Sequence, residues 1–305
     1  MNVKYFAEFM LLLITLLWGA TFSIVKESLN NASPILFISM RFSLASIVIV
    51  PFVYKHRKIF SATSIKAGLF LGTLLFFSFA AQTIGLKYTT ATKSGFITGS
   101  LVVMIPMFQI IIENKKPTKG ALVGVFLVFV GILFLSNGGN SFLTFLTDLG
   151  RNFNVGDLLT LLCAVLFAIH VVYLDIFSKK ENIVVLFSLQ IITTALMGII
   201  FTFIFSYFDY EKINFKLTEN LLFGLIYTAI FATVITTILQ TKYQKEVSPT
   251  KAGLIYSFEP IFAAIIAFFA LNEKITNFGL IGCLLIFLGL ISSEIIEVIL
   301  YEREK

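Results

Sequence analysis

Apolar residues in this 305-residue chain form long runs with few charges, and short polar stretches separate the runs. A helix of about 20 apolar residues is long enough to cross roughly 30 Å of hydrocarbon. The pattern predicts ten such spans, over residues 6–26, 34–54, 67–86, 94–112, 118–136, 157–177, 183–206, 218–240, 250–271 and 275–293. We therefore expect an all-α integral membrane protein with ten transmembrane helices.

Composition agrees with a membrane environment. The chain is 58% hydrophobic and 13% charged, with a mean hydropathy of +0.95, which lies far outside the range of soluble domains. Cys163 and Cys283 both fall inside predicted spans, where a free cysteine is usually a packing residue. Two such cysteines predict no disulfide framework and no metal site, and no motif calls for a cofactor.

Lysine and arginine are distributed unevenly between the two sides of the predicted membrane. With a cytoplasmic N-terminus, 15 of them lie on the inner side and 7 on the outer side, and Arg41 remains within a span. The positive-inside rule then places both termini in the cytoplasm, in a protein of the cytoplasmic (inner) membrane. The net charge of +6 follows from this bias, so the lipid bilayer is the expected partner and no nucleic acid is required.

The chain contains an internal repeat. Residues 82–131 and 240–289 align without a gap at an offset of 158, with fifteen identities in fifty positions, including Gln82/Gln240 and Lys93/Lys251. Five spans in each half is an odd number, so the second half is predicted to be inverted relative to the first. Inverted repeats are typical of secondary transporters, whose substrate site lies near the bilayer midplane.

The predicted organisation has three parts. Residues 1–136 form the first five-helix repeat, 137–156 an extracytoplasmic linker, and 157–305 the second five-helix repeat. The linker opens with turn-forming residues at 137–140 and continues with apolar residues at helical spacing. A short helix in the outer interface and a flexible tether both fit this pattern.

Several short motifs occur in a family-specific order. They are Leu17-Trp18-Gly19-Ala20-Thr21-Phe22, Arg41-Phe42, Val155-Gly156-Asp157-Leu158-Leu159, Ser248-Pro249-Thr250-Lys251-Ala252-Gly253, Phe258-Glu259-Pro260 and Asn272-Glu273-Lys274. Together they resemble the EamA family of the drug/metabolite transporter superfamily. The resemblance implies ten helices in two inverted halves, a central cavity and movement of small organic metabolites. In the first half the sequence departs from this pattern, because Leu101 and Val102 stand where Glu259 and Pro260 stand in the second.

Three classes of function are compatible with a polytopic chain. The repeat and the intramembrane charges favour a secondary transporter for a small metabolite such as an amino acid or related zwitterion or anion. A proton or a counter-substrate is then the expected coupling partner. We find no phosphate-binding loop and no catalytic motif, so we do not expect an enzyme. A membrane receptor or interaction protein without transport activity is the alternative, and the sequence sets no oligomeric state.

Glu259 is the strongest candidate for a functional residue. It lies roughly ten residues into the ninth span, about 15 Å from the inner surface, where an ionisable group is costly. Pro260 follows it and is predicted to kink the helix and expose polar backbone to a cavity. Pro106 is the kink candidate in the first half. Glu259 is expected either to contact substrate or coupling ion, or to pair with a buried polar group.

Arg41 lies about seven residues inside the second span, counted from the outer side. Its guanidinium could bind a substrate carboxylate or phosphate through two hydrogen bonds, or serve a structural role. Gln190 stands at the corresponding depth from the inner side in span seven. Lys93 and Lys251 begin spans four and nine at opposite mouths, where they could attract anionic substrates or extend to lipid headgroups.

Three further groups of polar or aromatic residues were considered. His170 in span six could transfer protons or be a packed, hydrogen-bonded residue. Trp18 and Tyr256 could stack on a planar substrate or belong to the packed interior. Gln82 and Gln240 lie near predicted span ends, so interfacial hydrogen bonding is expected of them rather than substrate contact.

Overall fold

A computed structural model describes residues 3–135, 154–271 and 277–303, and these ranges are almost entirely helical. They contain thirteen α-helices: α1 Val3–Ser28, α2 Pro34–Lys55, α3 Ala62–Tyr88, α4 Ala91–Gly99, α5 Leu101–Glu113, α6 Lys119–Leu135, α7 Val155–Ser178, α8 Ile183–Tyr207, α9 Glu219–Ala229, α10 Thr236–Tyr243, α11 Pro249–Tyr256, α12 Glu259–Leu271 and α13 Asn277–Arg303. Across the described ranges, β pairing is limited to an isolated bridge between Ala32 and Phe215.

Seven helical segments are long and apolar enough to cross a membrane. They correspond to the predicted spans 6–26, 34–54, 67–86, 94–112, 157–177, 183–206 and 218–240. The other three predicted spans coincide with α6, with α11 and α12 together, and with α13. Most of the predicted linker, including its interfacial segment, lies outside the described residues.

Polar caps define many helix starts. The side chains of Ser61, Thr90, Thr218 and Ser248 each accept a hydrogen bond from the backbone N–H three residues later. Asn154 and Asp157 form a reciprocal capping box at the start of α7. These caps satisfy backbone donors that a helix leaves free at its N-terminus. Because α3 is capped at Ser61, it begins five residues before the predicted span.

The predicted fourth and ninth spans are each interrupted at the same place in the repeat. The first break separates α4 from α5 at Ser100, and the second separates α11 from α12 at Ser257 and Phe258. The Ser100 hydroxyl donates to the Ile97 carbonyl at 2.6 Å and competes with the helical backbone pattern. The first-half interruption is therefore at Ser100, and Pro106, the kink candidate of this half, lies inside α5.

Another irregularity lies between α9 and α10. Residues Ile230–Ile235 form a π-helical segment within an otherwise continuous span. A π-helical turn changes the direction of backbone carbonyls, and such turns are frequent at functional sites. The sequence analysis treated this span as a regular helix.

Glycines permit close contact between α6 and α13. A Cβ atom added to Gly124 would lie 2.7 Å from the carbonyl oxygen of Gly289, and one added to Gly131 would lie 2.8 Å from that of Gly282. Both distances are too short for real Cβ atoms. Small residues at these positions therefore set how closely the two helices approach.

Large apolar side chains cover much of the outer surface, whereas many polar side chains are inside. Ile47, Phe126 and Phe203 are each at least 66% exposed, while Arg41, His170 and Gln190 are almost completely buried. This distribution is the reverse of that in a soluble protein. It fits helices that face lipid and enclose a polar interior.

Candidate functional site

A small polar cavity lies between the helices. Its lining includes Trp18 and Thr21 of α1, Arg41 of α2, Gln82 of α3, Thr98 of α4, His170 of α7, Thr233 of the π-helical segment, Thr236 and Gln240 of α10, Tyr256 of α11 and Glu259 of α12. About 50 Å³ is open to the centres of water molecules. This is room for roughly four waters, or one small organic molecule.

Arg41 is the cation of the cavity, and its guanidinium is held from two sides. Nε donates to Thr233 Oγ1 at 2.8 Å, and Nη2 donates to the Ala232 carbonyl at 2.9 Å. The guanidinium carbon lies 4.6 Å from the ring centroid of Phe79, within the range of a cation–π interaction. Two of the five N–H donors of the side chain are thereby used, and no ion pair with a described residue is needed to orient the group.

The π-helical segment explains how Arg41 can be buried. Ala232 and Thr233, which accept its hydrogen bonds, both belong to this segment. A carbonyl oxygen has two lone pairs, so the Ala232 carbonyl can accept a hydrogen bond from the guanidinium that lies within reach. Neither acceptor was predicted from the sequence, although threonines at 233, 236 and 237 on one apolar span were a visible signal for the Thr233 hydroxyl.

Glu259 is the acidic group of the cavity and the first residue of α12. It lies at this position because the helix is interrupted at Ser257 and Phe258 and begins again at Glu259, with Pro260 as the second residue of α12. Gly19 of α1 permits close packing here, because a Cβ at that position would lie 3.1 Å from the Glu259 carbonyl oxygen. Within the part of the chain that the structure describes, the Glu259 carboxylate has neither a hydrogen bond nor an ion pair.

His170 lines the cavity, but Gln190 lies behind it. His170 Nε2 and Gln190 Oε1 are 2.8 Å apart, and the Gln190 amide also contacts the Leu186 carbonyl and the Thr241 hydroxyl. An amide oxygen can only accept, so Nε2 of this imidazole carries the proton. Gln190 thus orients His170 and does not pair with Arg41 across the cavity.

Trp18 and Tyr256 form an aromatic wall. Their ring centroids are 5.5 Å apart with an interplanar angle of 60°. The Tyr256 hydroxyl donates to Gln244 Oε1 at 2.9 Å, and Gln244 Nε2 donates to the Val171 carbonyl at 2.7 Å. Gln244 is a third residue that was not predicted from the sequence, and it fixes the position of the tyrosine.

Gln82 and Gln240 were expected near the interface, yet both line the cavity. The helices that carry Gln82 and Gln240 extend beyond the ends of the predicted spans, so both glutamines lie further inside their helices than expected. α3 continues to Tyr88, and the eighth apolar segment continues to Glu246. The expectation of an interfacial role was wrong because apolar residues stop before the helix does.

Lys93 and Lys251 do not line the cavity, and each is paired with a carboxylate. Lys93 Nζ lies 2.5 Å from Asp157 Oδ2, and Lys251 Nζ lies 2.5 Å from Glu8 Oε1. The two positive charges, for which attraction of anions was one alternative, are therefore balanced by neighbouring negative charges in this conformation.

Long apolar helices, an apolar exterior and a polar interior cavity define an integral membrane protein of the transporter class. The sequence profile of the EamA-like transporter family matches residues 5–137 and 154–293, and the chain belongs to this family. The resemblance noted in the sequence motifs is thus confirmed.

Relatives of known sequence agree with this assignment. An uncharacterized transporter of Archaeoglobus fulgidus is 30% identical over 94% of this chain and 85% of its own length. The uncharacterized transporter YoaV of Bacillus subtilis is 24% identical over 91% of this chain and 92% of its own length. A crystal structure with 15% identity has a TM-score of 0.75, covering 95% of this chain and 98% of the other, and supports the fold alone.

Proposed function

We propose that the protein is a secondary transporter that moves a small organic metabolite by alternating access. One observation carries this proposal: a cavity that contains one basic and one acidic side chain, Arg41 and Glu259, lies midway along the helices. Trp18 marks its depth on α1. It is ten residues, or about 15 Å, from Glu8 near one helix end and eight residues, or about 12 Å, from Lys26 near the other.

We further propose ten spans in two inverted repeats, 1–136 and 157–305. The interruption at Ser100 corresponds to that at Phe258 at the repeat offset of 158. The glycine contacts support the same symmetry. At the offset of 158, Gly124 corresponds to Gly282 and Gly131 to Gly289. The contact of Gly124 with Gly289 therefore has the contact of Gly282 with Gly131 as its equivalent, and the structure contains both. An approximate two-fold axis in the membrane plane accounts for these exchanges.

The proposed orientation has both termini and residues 55–66 in the cytoplasm. The linker 137–156 and the loop 207–217 then lie outside the cytoplasmic membrane. The 15-to-7 distribution of lysine and arginine supports this arrangement.

The proposed substrate is a small zwitterion or organic anion, of which a small amino acid is the simplest example. The remaining donors of Arg41 would bind its carboxylate, since a guanidinium can form two parallel hydrogen bonds to that group. Glu259 would face its amino group. Trp18 and Tyr256 offer an apolar wall for the rest of the molecule.

Glu259 is also the proposed site of coupling. A carboxyl couples transport to protons if it is protonated in one state of the cycle and releases the proton in another. Glu259→Gln preserves the shape of the side chain and removes ionisation. If Glu259 couples protons, the variant retains counterflow exchange and loses uphill transport driven by a pH gradient. If it only holds an amine, binding itself weakens.

A folded Glu259→Gln protein with normal affinity and normal pH-driven accumulation would contradict both roles. Lys179→Gln is a suitable control, because it removes a charge from the end of α7 without touching the cavity.

The primary test has two stages. A panel of metabolites is first screened for thermal stabilisation of the purified protein, because a solute that binds only the folded state raises its melting temperature. Stabilising solutes are then tested for flux into sealed proteoliposomes. Saturable uptake that is absent from protein-free vesicles supports transport. Stabilisation without flux in either direction would favour the receptor alternative.

A further inference from the structure

The ion pairs Lys93–Asp157 and Lys251–Glu8 are equivalent under the internal symmetry. Lys93 and Lys251 match at the offset of 158. Glu8 and Asp157 are 149 positions apart, the same offset that relates Ser39 to Ser188 in the neighbouring spans. Both ion pairs have an N–O distance of 2.5 Å. The helix caps before the lysines also correspond, since Thr90 accepts from Lys93 N and Ser248 from Lys251 N.

Each ion pair joins one half of the chain to the other. Lys93 near the start of α4 contacts Asp157 at the start of α7, and Lys251 near the start of α11 contacts Glu8 in α1. A lysine in the first turn of a helix is disfavoured by the positive end of the helix dipole. Its position is therefore explained by the carboxylate it meets rather than by the helix it belongs to.

The two ion pairs lie at opposite ends of the bundle. Lys26, near the C-terminal end of α1, donates to the Thr89 carbonyl, and the Thr89 hydroxyl donates to Asp157. The Lys93–Asp157 pair is thus near that end of α1. Glu8 is eighteen residues earlier on the same helix, which corresponds to about 27 Å. This distance is close to the thickness of the hydrocarbon core.

Each ion pair has one buried partner, while Lys93 and Glu8 are 27% and 19% exposed. The Asp157 side chain is fully buried, and that of Lys251 is only 5% exposed. Asp157 is also held by the Thr89 hydroxyl and the Asn154 backbone N–H. Separating either ion pair would leave a charged side chain without its partner, which is energetically unfavourable. Each ion pair therefore stabilises the contact between the helices that it joins at its end of the bundle.

We propose that Lys93–Asp157 and Lys251–Glu8 are the latches that close the two ends of the central cavity in alternation. This inference rests on the proposed transport function. Opening one end requires α4 and α7 to separate and breaks the first latch, while the second stays formed. Opening the other end breaks the second latch between α11 and α1. Asp157 and Glu8 are positioning residues here, since neither lines the cavity.

The test measures access to the cavity from each side without substrate. The full-length protein carries Cys163→Ala, Cys283→Ala and a single cysteine in place of Thr237, which lines the cavity. A membrane-impermeant thiol reagent is applied to intact cells and, separately, to inverted membrane vesicles. The ratio of the two labelling rates reports which end is open.

In the proposed orientation Asp157 lies at the outer end of the bundle. Asp157→Asn should raise the rate of labelling from outside about tenfold relative to the rate from the cytoplasmic side, which corresponds to about 1.4 kcal/mol. Glu8→Gln should shift the ratio by a similar factor in the opposite direction. The double variant should return the ratio close to that of the parent. Lys179→Gln is the matched control, because it breaks the 2.6 Å pair with Asp175 within a single helix and its cap. It should leave the ratio unchanged.

Two additional variants separate gating from loss of fold. Lys93→Gln breaks the first latch without altering the capping box of Asp157 and should reproduce the effect of Asp157→Asn. Exchange of the charges in Glu8→Lys with Lys251→Glu should restore the parental ratio. The proposal is overturned if Asp157→Asn and Glu8→Gln shift the ratio in the same direction, or no further than Lys179→Gln.

Labelling requires no substrate, so its failure is distinct from an absence of solute flux in proteoliposomes. If Asp157→Asn and Glu8→Gln shift the labelling ratio in opposite directions but the protein moves no solute, the result supports the latches and contradicts the transport function. Normal flux with no shift would support transport and reject the latches.

Discussion

Replacement of Arg41 by lysine tests whether the cavity recognises a carboxylate. The substitution keeps the positive charge but loses the planar group that Thr233 and Ala232 hold by hydrogen bonds of 2.8 and 2.9 Å. A lysine ammonium can approach a carboxylate, yet it does not form the two parallel hydrogen bonds of a guanidinium.

The expected magnitude follows from one lost hydrogen bond to a charged group. Such a bond contributes about 1.5–3 kcal/mol, so affinity for a carboxylate substrate should fall about 10- to 100-fold. Arg41→Gln should reduce it further, because the charge is also lost. Thr233→Val should have a smaller effect, since the contacts with Ala232 and Phe79 continue to orient the guanidinium.

The assay is ligand-dependent thermal stabilisation of the purified variants, with the solute identified by the metabolite screen. Its carboxamide analogue provides the internal control. If Arg41 binds the carboxylate, Arg41→Lys should weaken binding of the acid and leave the weak binding of the amide nearly unchanged. Equal affinities of the wild type, Arg41→Lys and Arg41→Gln for the acid would refute this reasoning and leave Arg41 with a structural role.

Three other predictions concern stability and topology. Gly124→Ala should destabilise the protein by about 1–3 kcal/mol through overpacking, whereas Gly95→Ala should be tolerated because its Cβ would meet Phe22 at 3.6 Å; equal melting temperatures would contradict the close helix contact. Burial raises the pKa of Glu211 in the loop before α9. The protonated Glu211 side chain therefore stabilises the folded protein fully below the ordinary carboxyl pKa, and this stabilisation is lost as pH rises through the raised pKa of the folded state. Glu211→Gln should therefore raise the melting temperature above that pH relative to wild type, and an unchanged pH profile would oppose this account. A cysteine introduced at position 58 should resist impermeant reagents in intact cells and react in inverted vesicles; external labelling would reverse the proposed orientation.

The sequence was sufficient to locate the main cavity groups because of a simple energetic cost. An ionisable side chain within an apolar span requires a compensating environment, and this argument selected Arg41 and Glu259. The structure brings both to one cavity with Trp18, His170 and Tyr256. Their convergence from distant parts of the chain is consistent with the internal repeat.

Other features of the site depend on geometry that hydropathy does not encode. The π-helical segment at Ile230–Ile235 lies within an apolar span, and hydropathy does not distinguish it from an α-helical turn, so the role of the Ala232 carbonyl as an acceptor was not foreseeable. The partners of the two repeat-related lysines were missed for a different reason. The offset is 149 in the first two spans of each half and 158 in the next three, so a single ungapped alignment does not connect Glu8 with Asp157.

The cavity charges do not follow the internal repeat of the sequence. The repeat equivalent of Arg41 is Gln190, which lies behind His170, and the equivalent of Glu259 is the apolar Leu101. The proposed inverted repeats and their matched ion pairs would suit a cycle in which the two ends exchange roles. A substrate with one carboxylate and one amine has no such symmetry. A second arginine and a second glutamate in the same cavity would add the cost of burying two charges without a partner on the substrate.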